Sequence, residues 1–141
     1  MGSGYRREDL QANAQAKLDD ARELLLRRRH ANAYYLAGYA VEIGLKACIA
    51  AQIAAETIPD KAFMSHVFTH DFKALVGAAG LTTALGEQSR RDPGFAANWA
   101  IVTEWRPEVR YEDRDLRSAE LMIEAIADPA SGVLQWIRAH W

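Results

Sequence analysis

Residues 31–55 read ANAYYLAGYAVEIGLKACIAAQIAA, and the fold turns on what such a stretch can be. It is long enough to cross a bilayer, yet Glu42 and Lys46 stand near its middle and it is rich in alanine rather than leucine. It is therefore read as a core helix running from about residue 32 to residue 56. Being apolar on nearly all sides, it should be the central element, packed by neighbours on every face. Gly38 and Gly44 each cost about 1 kcal/mol relative to Ala inside a helix, so another backbone is expected to approach closely at both. Glu42 and Lys46 are four apart in the favourable order and share a stripe with Tyr35 and Tyr39. That polar stripe is either an ion pair snorkelling to the bundle surface or the lining of a groove or dimer seam.

Amphipathic helices flank this centre. Before it, from about residue 6 to residue 29, Leu10, Ala14, Leu18, Ala21 and Leu25 recur in steps of three and four and form one apolar stripe. The run Arg27, Arg28, Arg29, His30 ends that helix, where cations complement its dipole or hold a phosphate. After it, Pro59 and Asp60 stop the central helix, and a His-rich stretch leads to a helix that starts near Asp71 and stops at Gly80. A further helical segment opens near Thr82, breaks at Asp92-Pro93-Gly94, resumes from Phe95 to Trp105 and is closed by Pro107. From about Asp113, Leu116, Ala119, Ile123 and Ile126 share one face. Asp128-Pro129 then reads as an N-cap with proline in the first helical position, opening a last helix with Val133, Leu134, Trp136 and Ile137. The expected fold is all-α, an up-and-down bundle of five or six helices joined by short loops, with no strand-type alternation.

Composition sets further bounds. With 141 residues, half of them hydrophobic and about a quarter charged, the chain suits one domain from residue 6 to residue 141, with residues 1–5 as a disordered lead or cloning scar. The formal charge of -2 offers no global attraction for a polyanion, so any nucleic-acid contact must come from a local cluster of arginines. Cys48, the single cysteine, sits in an apolar run and reads as a small buried hydrophobe in a reducing, cytoplasmic setting. No signal-type apolar segment follows the N-terminal charges, no membrane association is expected, and neither a Gly-rich phosphate loop nor a nucleophile elbow asks for a cofactor. Trp99, Trp105, Trp136 and Trp141 read as core and end anchors.

Residues 35–47, YLAGYAVEIGLKA, resemble the second helix of HEPN domains, small helical bundles of prokaryotic nucleic-acid defence and nucleotidyltransferase pairs. Weaker matches follow in the family's order: His70-Asp71-Phe72 with Leu75 and Gly80-Leu81, then Trp105 with Arg110-Tyr111, then residues 133–137. The resemblance implies a HEPN-like helical bundle, a homodimer, a minimal nucleotidyltransferase as partner, and a toxin–antitoxin or phage-defence setting with nucleotide or RNA as the contacted ligand.

Catalytic members of that family are metal-independent ribonucleases with Arg, four to six residues, then His. The His moves the proton of a 2′-hydroxyl while Arg steadies the charge on the phosphate. No Arg stands at the required distance before His30, His66, His70 or His140, so the motif is absent. The nearest relic is RPEVRY, residues 106–111, ending in Tyr111, whose phenol is a poor base at neutral pH. Arg106, Arg110, Tyr111 and Arg114 are accordingly the candidate nucleotide or RNA contacts. On a helix, Arg110, Arg114 and Arg117 would lie at i, i+4 and i+7, a spacing that suits a phosphate. Glu104, Glu108, Glu112, Asp113 and Asp115 interleave them, so a self-neutralising face is the competing reading. Two functions stay open: a non-catalytic HEPN-like binding module, or a ribonuclease with a divergent site around Arg106, Arg110 and Tyr111. His66 and His70, four apart beside Asp71, are a weak metal pattern. His70 or Asp71 reads more simply as a helix cap, and no metal is assigned.

Overall fold

The computed structural model describes residues 4–141. Among them the chain is all-α: α1 (Arg7–Leu26), α2 (His30–Gln52), α3 (Lys61–Val67), α4 (Phe72–Ala78), α5 (Thr82–Arg91), α6 (Pro93–Val102), a 3-10 turn (Pro107–Tyr111), α7 (Leu116–Ala127) and α8 (Val133–Arg138). Residues 1–3 of the expected lead lie outside the described residues; Gly4 and Tyr5 precede α1, with Tyr5 exposed.

The long pair α1–α2 is the spine. The stripe of α1 buries Ala14, Leu18 and Ala21 against α2. Arg28, with φ +60°, makes the left-handed turn that sends the chain back. The central role of α2 follows from its all-round apolarity: α1, α4, α7, α8 and the 3-10 turn all pack on it, and thirteen of its residues are buried. No helix among the described residues is long and apolar enough to cross a membrane.

Helix ends follow local chemistry. Asp60, Asp71, Asp92 and Asp115 each accept a hydrogen bond from a first-turn N–H of the helix they precede. Pro93 occupies the first turn of α6 and separates it from α5, and Gly80, with φ +71°, turns the chain after α4.

The count of five or six helices is corrected to eight among the described residues. The His-rich stretch folds into α3, which at seven residues buries none of them fully and so shows no apolar period. Asp128-Pro129 does not open the last helix. Residues 129–131 form a turn in which the Asp128 carboxylate accepts from Ala130 N at 3.0 Å, and Gly132 caps α8. A Cβ on Gly132 would collide with the carbonyls of Ile126 and Asp128, so the chain can close this tightly only with glycine there. Leu116, expected on the apolar face of α7, is exposed at the helix start, while Met122 and Ala125 join Ala119, Ile123 and Ile126 in the core. Helix α6 ends at Val102, ahead of Pro107, which instead starts the 3-10 turn.

The two glycines of α2 do meet close neighbours, but side chains rather than a backbone. A Cβ on Gly38 would overlap the Trp105 indole, and one on Gly44 would stand 3.1 Å from Ile137 Cγ2. Trp105 is thus set flat into the notch at Gly38, where its Nε1 donates to the Tyr35 carbonyl at 3.1 Å. Its ring stacks on Phe72 (centroids 5.4 Å, planes 1° apart) and on Tyr35 (5.9 Å). Trp105 and Trp136 are buried and Trp99 and Trp141 half-buried, as anchors should be. Cys48 is buried too, its thiol donating weakly to the Ile137 carbonyl.

Candidate functional site

Two regions carry the chemistry. The first is residues 106–117. The 3-10 turn is followed by extended chain at Glu112, and α7 does not begin until Leu116. Arg110, Arg114 and Arg117 therefore do not share a helical face, and the expected i, i+4, i+7 cradle is not formed. The reason is local: Pro107 starts a tight 3-10 turn that ends at Tyr111, and the Asp115 carboxylate caps α7 by accepting from Ser118 N at 2.8 Å, so no α-helix runs from Arg110 to Arg117.

The arginines separate into kinds. Glu112 bridges two of them: Arg106 on one oxygen and Arg114, at 3.1 Å, on the other. Arg114 also lies over the Tyr34 ring, 4.1 Å from its centroid. The Tyr34 hydroxyl and Arg114 Nε are buried without a protein partner, and burial raises the Tyr34 phenol above its ordinary pKa. Arg117 pairs with Glu120 at 3.5 Å. Arg110 alone of the four has no carboxylate within 4.0 Å among the described residues. It stands over Tyr111 at 4.9 Å, and its pKa is raised by hydrogen bonding to Tyr111 first and to Tyr35 as well. Tyr111 is 79% exposed. The competing readings are thus divided between residues: the salt-bridged face holds for Arg106, Arg114 and Arg117, and the open cation is Arg110.

The second region was not assembled from sequence. Glu42 is the one buried charged residue among those described, only 2% exposed. The Glu42–Lys46 pair exists, at 3.3 Å, but Glu42 does not snorkel to the surface. Its other oxygen meets His70 Nδ1 at 2.6 Å. With Lys46 on Oε2, the carboxylate is an acceptor toward His70, so the imidazole donates its Nδ1 proton and keeps Nε2 free. His70 is not a helix cap; Asp71 takes that role for α4, accepting from Lys73 N at 2.9 Å. His66, on α3, makes no partnership with His70, and no group of three His, Cys, Asp or Glu side chains among the described residues is placed to hold a metal ion. Tyr39, beside this cluster on α2, has its phenol pKa raised, by burial first and by the Glu42 charge second.

His70 opens on a cleft of about 1370 Å³ between α3, α4, α5, α6 and the start of the 3-10 turn. Phe63, Phe72, Trp99 and Trp105 are among its walls, and Lys73 and Arg106 also line it. Arg110 and Tyr111 do not, so Arg106 is the only member of the sequence-derived site that the cleft includes. The sequence offered its parts separately, an acid inside an oily helix, which must find cations when buried, and the His70-Asp71 pair, but not their meeting, because His70 is 28 residues from Glu42.

Compared with family models, curated proteins and solved structures, the chain matches none.

Proposed function

We propose that this chain is a HEPN-like binding module without ribonuclease activity, which dimerises, pairs with a minimal nucleotidyltransferase in a toxin–antitoxin or phage-defence setting, and contacts nucleotide or RNA phosphate through Arg110. The carrying observation is the exposed guanidinium of Arg110, without a carboxylate partner among the described residues, beside the exposed ring of Tyr111. A cation without a carboxylate and an aromatic face are what a phosphate and its base need side by side. The all-α bundle, with the YLAGYAVEIGLKA helix at its centre, is the architecture that the resemblance calls for.

The divergent-ribonuclease reading gains nothing from the geometry. Residues 106–117 hold neither His nor Lys, and Glu112, the carboxylate next to Tyr111 in the chain, is occupied by two arginines. Fluorescence anisotropy with a short single-stranded RNA tests the proposal. Arg110→Ala should weaken binding on the order of tenfold and flatten its salt dependence, while Arg117→Ala should change little. Equal binding by wild type and Arg110→Ala would remove the site, and RNA cleavage that disappears in Tyr111→Phe would restore the ribonuclease. Light scattering at micromolar concentration should give twice the 15.7 kDa of one chain; that mass alone would overturn the dimer.

A further inference from the structure

We infer that the cleft beside α4 is a second ligand site, independent of Arg110, for an uncharged and mainly apolar molecule whose hydroxyl donates a hydrogen bond to His70 Nε2.

The acceptor is built from the core outward. Glu42 is 2% exposed, and such a carboxylate is costly to bury and costly to leave unpaired. Lys46 holds one of its oxygens and His70 Nδ1 the other. Because an ionised carboxylate can only accept, the Nδ1 proton is committed to it and the neutral imidazole keeps its acceptor lone pair on Nε2. Nε2 makes no hydrogen bond among the described residues, while the His70 side chain, 57% exposed, lines the cleft. A histidine needed only to neutralise Glu42 would not have to face a cavity, since Lys46 already neutralises it. The outcome is a preset hydrogen-bond acceptor, and its complement is a donor.

The rest of the cleft selects against ions. Its four formally charged side chains are two acids, Asp71 and Glu108, and two bases, Lys73 and Arg106. Asp71 caps α4 and Arg106 is paired with Glu112, so what remains is one charge of each sign, Glu108 and Lys73. An ion entering the cleft would leave water for a place with no excess of opposite charge. Most of the lining surface is apolar, with Phe72, Val76, Leu85, Trp99 and Trp105 among the side chains that form it. Release of water from those surfaces favours a ligand with an apolar body, whatever its orientation. A hydroxyl suits the polar contact because it is uncharged, donates one hydrogen bond, and keeps lone pairs open to Lys73 or water. The cleft, about 1370 Å³, is larger than a single ring needs, so a small probe reports the anchoring contact without filling the space.

The test uses the full chain at about pH 8, where histidine is ordinarily neutral and a phenol, with a pKa of about 10, keeps its proton. Three probes of similar size are titrated and followed by NMR: p-cresol, its methyl ether p-methylanisole, and p-toluate. The ether keeps the oxygen and the apolar body but has no donor, and p-toluate is an anion. Binding of p-cresol is expected in the millimolar range, about threefold to tenfold tighter than either other probe, the worth of one neutral hydrogen bond. In His70→Ala, p-cresol should fall to the level of the ether, whose own binding should change little. Arg110→Ala should leave all three unchanged, which separates failure here from failure of the Arg110 site. Nitrogen NMR supplies a readout that a merely structural role for Glu42 would not move. Wild type should show Nδ1 of His70 protonated and Nε2 bare, with the Nε2 signal shifting as p-cresol is added. Glu42→Gln, whose amide can either accept from or donate to Nδ1, should blur that state and shrink the preference for p-cresol over the ether. The inference is overturned if p-cresol does not bind at millimolar concentration, if the ether or p-toluate binds as well, or if His70→Ala keeps the preference. It is overturned equally if Nε2 is protonated in wild type, or if Glu42→Gln keeps both the tautomer and the preference.

Discussion

Glu42 and Glu112 each hold two basic side chains, one on each carboxylate oxygen, yet one lies at the centre of the bundle and the other on its rim. Glu42 is 2% exposed and Glu112 35%. Behind Glu42 stands α2, wrapped on all sides; behind Glu112 stand a 3-10 turn and a loop. The same pattern of one acid between two bases therefore has opposite consequences. In the core it orients a histidine and is costly to disturb, while on the surface it cancels charge and leaves Arg110 as the free cation. Environment, and not the list of residues, decides what the pattern does in each place.

The sharpest way to break the comparison is at the floor of the buried region. Gly38→Ala places a methyl where the Trp105 indole lies, and that ring is clamped by Tyr35 and Phe72. Its cost should reach about 3 kcal/mol, the upper end for overpacking, read as a lower urea midpoint with an unchanged slope. Next come the two carboxylates themselves. Glu42→Ala should cost about 2 kcal/mol, less than a fully enclosed pair because Lys46 and His70 both reach solvent. Glu112→Ala should stay below about 0.5 kcal/mol, as for exposed ion pairs. Equal losses at the two positions would erase the distinction drawn between them.

Cys48 offers a chemical measure of the same enclosure. Burial pushes its thiol from 9.0 up to about 12, so at pH 8 only about one molecule in ten thousand carries a thiolate. Ellman's reagent should label it only as fast as the protein opens. The sign of its pH linkage follows: between pH 9.0 and 12 the unfolded thiol loses its proton while the folded one keeps it, so Cys48 lowers stability as pH rises through that window. Cys48→Ala should remove that part of the alkaline loss. Immediate labelling of the native protein would show that the centre of α2 is open.

The smallest expected effect lies on the rim, at Ser131. Its hydroxyl donates to Asp92 Oδ2 at 2.8 Å, and this bond, followed by that from Phe95 N, holds the Asp92 carboxyl below the usual range. A depressed carboxyl contributes stability above its unfolded pKa and loses it as pH falls through the folded one. Ser131→Ala should therefore raise the Asp92 pKa, followed by NMR titration. It should lower Tm slightly at neutral pH and leave little difference in strong acid.

Reading the sequence recovered most of the bundle where apolar period and punctuation agree. The α1 stripe, the oily α2, Asp71 before α4, Gly80 after it and the break at Asp92-Pro93 are all local signals found in the fold, although α2 ends at Gln52, ahead of the stop expected at Pro59 and Asp60, and Asp60 caps α3 instead. It failed where tertiary contact decides. α3 buries no residue completely and has no stripe to read. The Asp128-Pro129 pair carries the marks of a helix start, but Gly132 allows a tighter closure and α8 begins after it. Among the arginines, spacing assumed a helix that the Pro107 turn and the Asp115 cap do not allow.

By itself the sequence determined an all-α bundle around a glycine-notched, apolar α2, because periodicity, capping and the cost of burying polar groups act within a few residues of one another. It also established that the ribonuclease motif is missing, since that question concerns spacing alone. Only the tertiary structure decided that Glu42 meets His70 across 28 residues, that Trp105 fills the notch at Gly38, and that Glu112 takes Arg106 and Arg114 while leaving Arg110 free. Those choices rest on which side chains the packed helices bring within a few ångströms, and a carboxylate finds its partners in space, without regard to their distance along the chain.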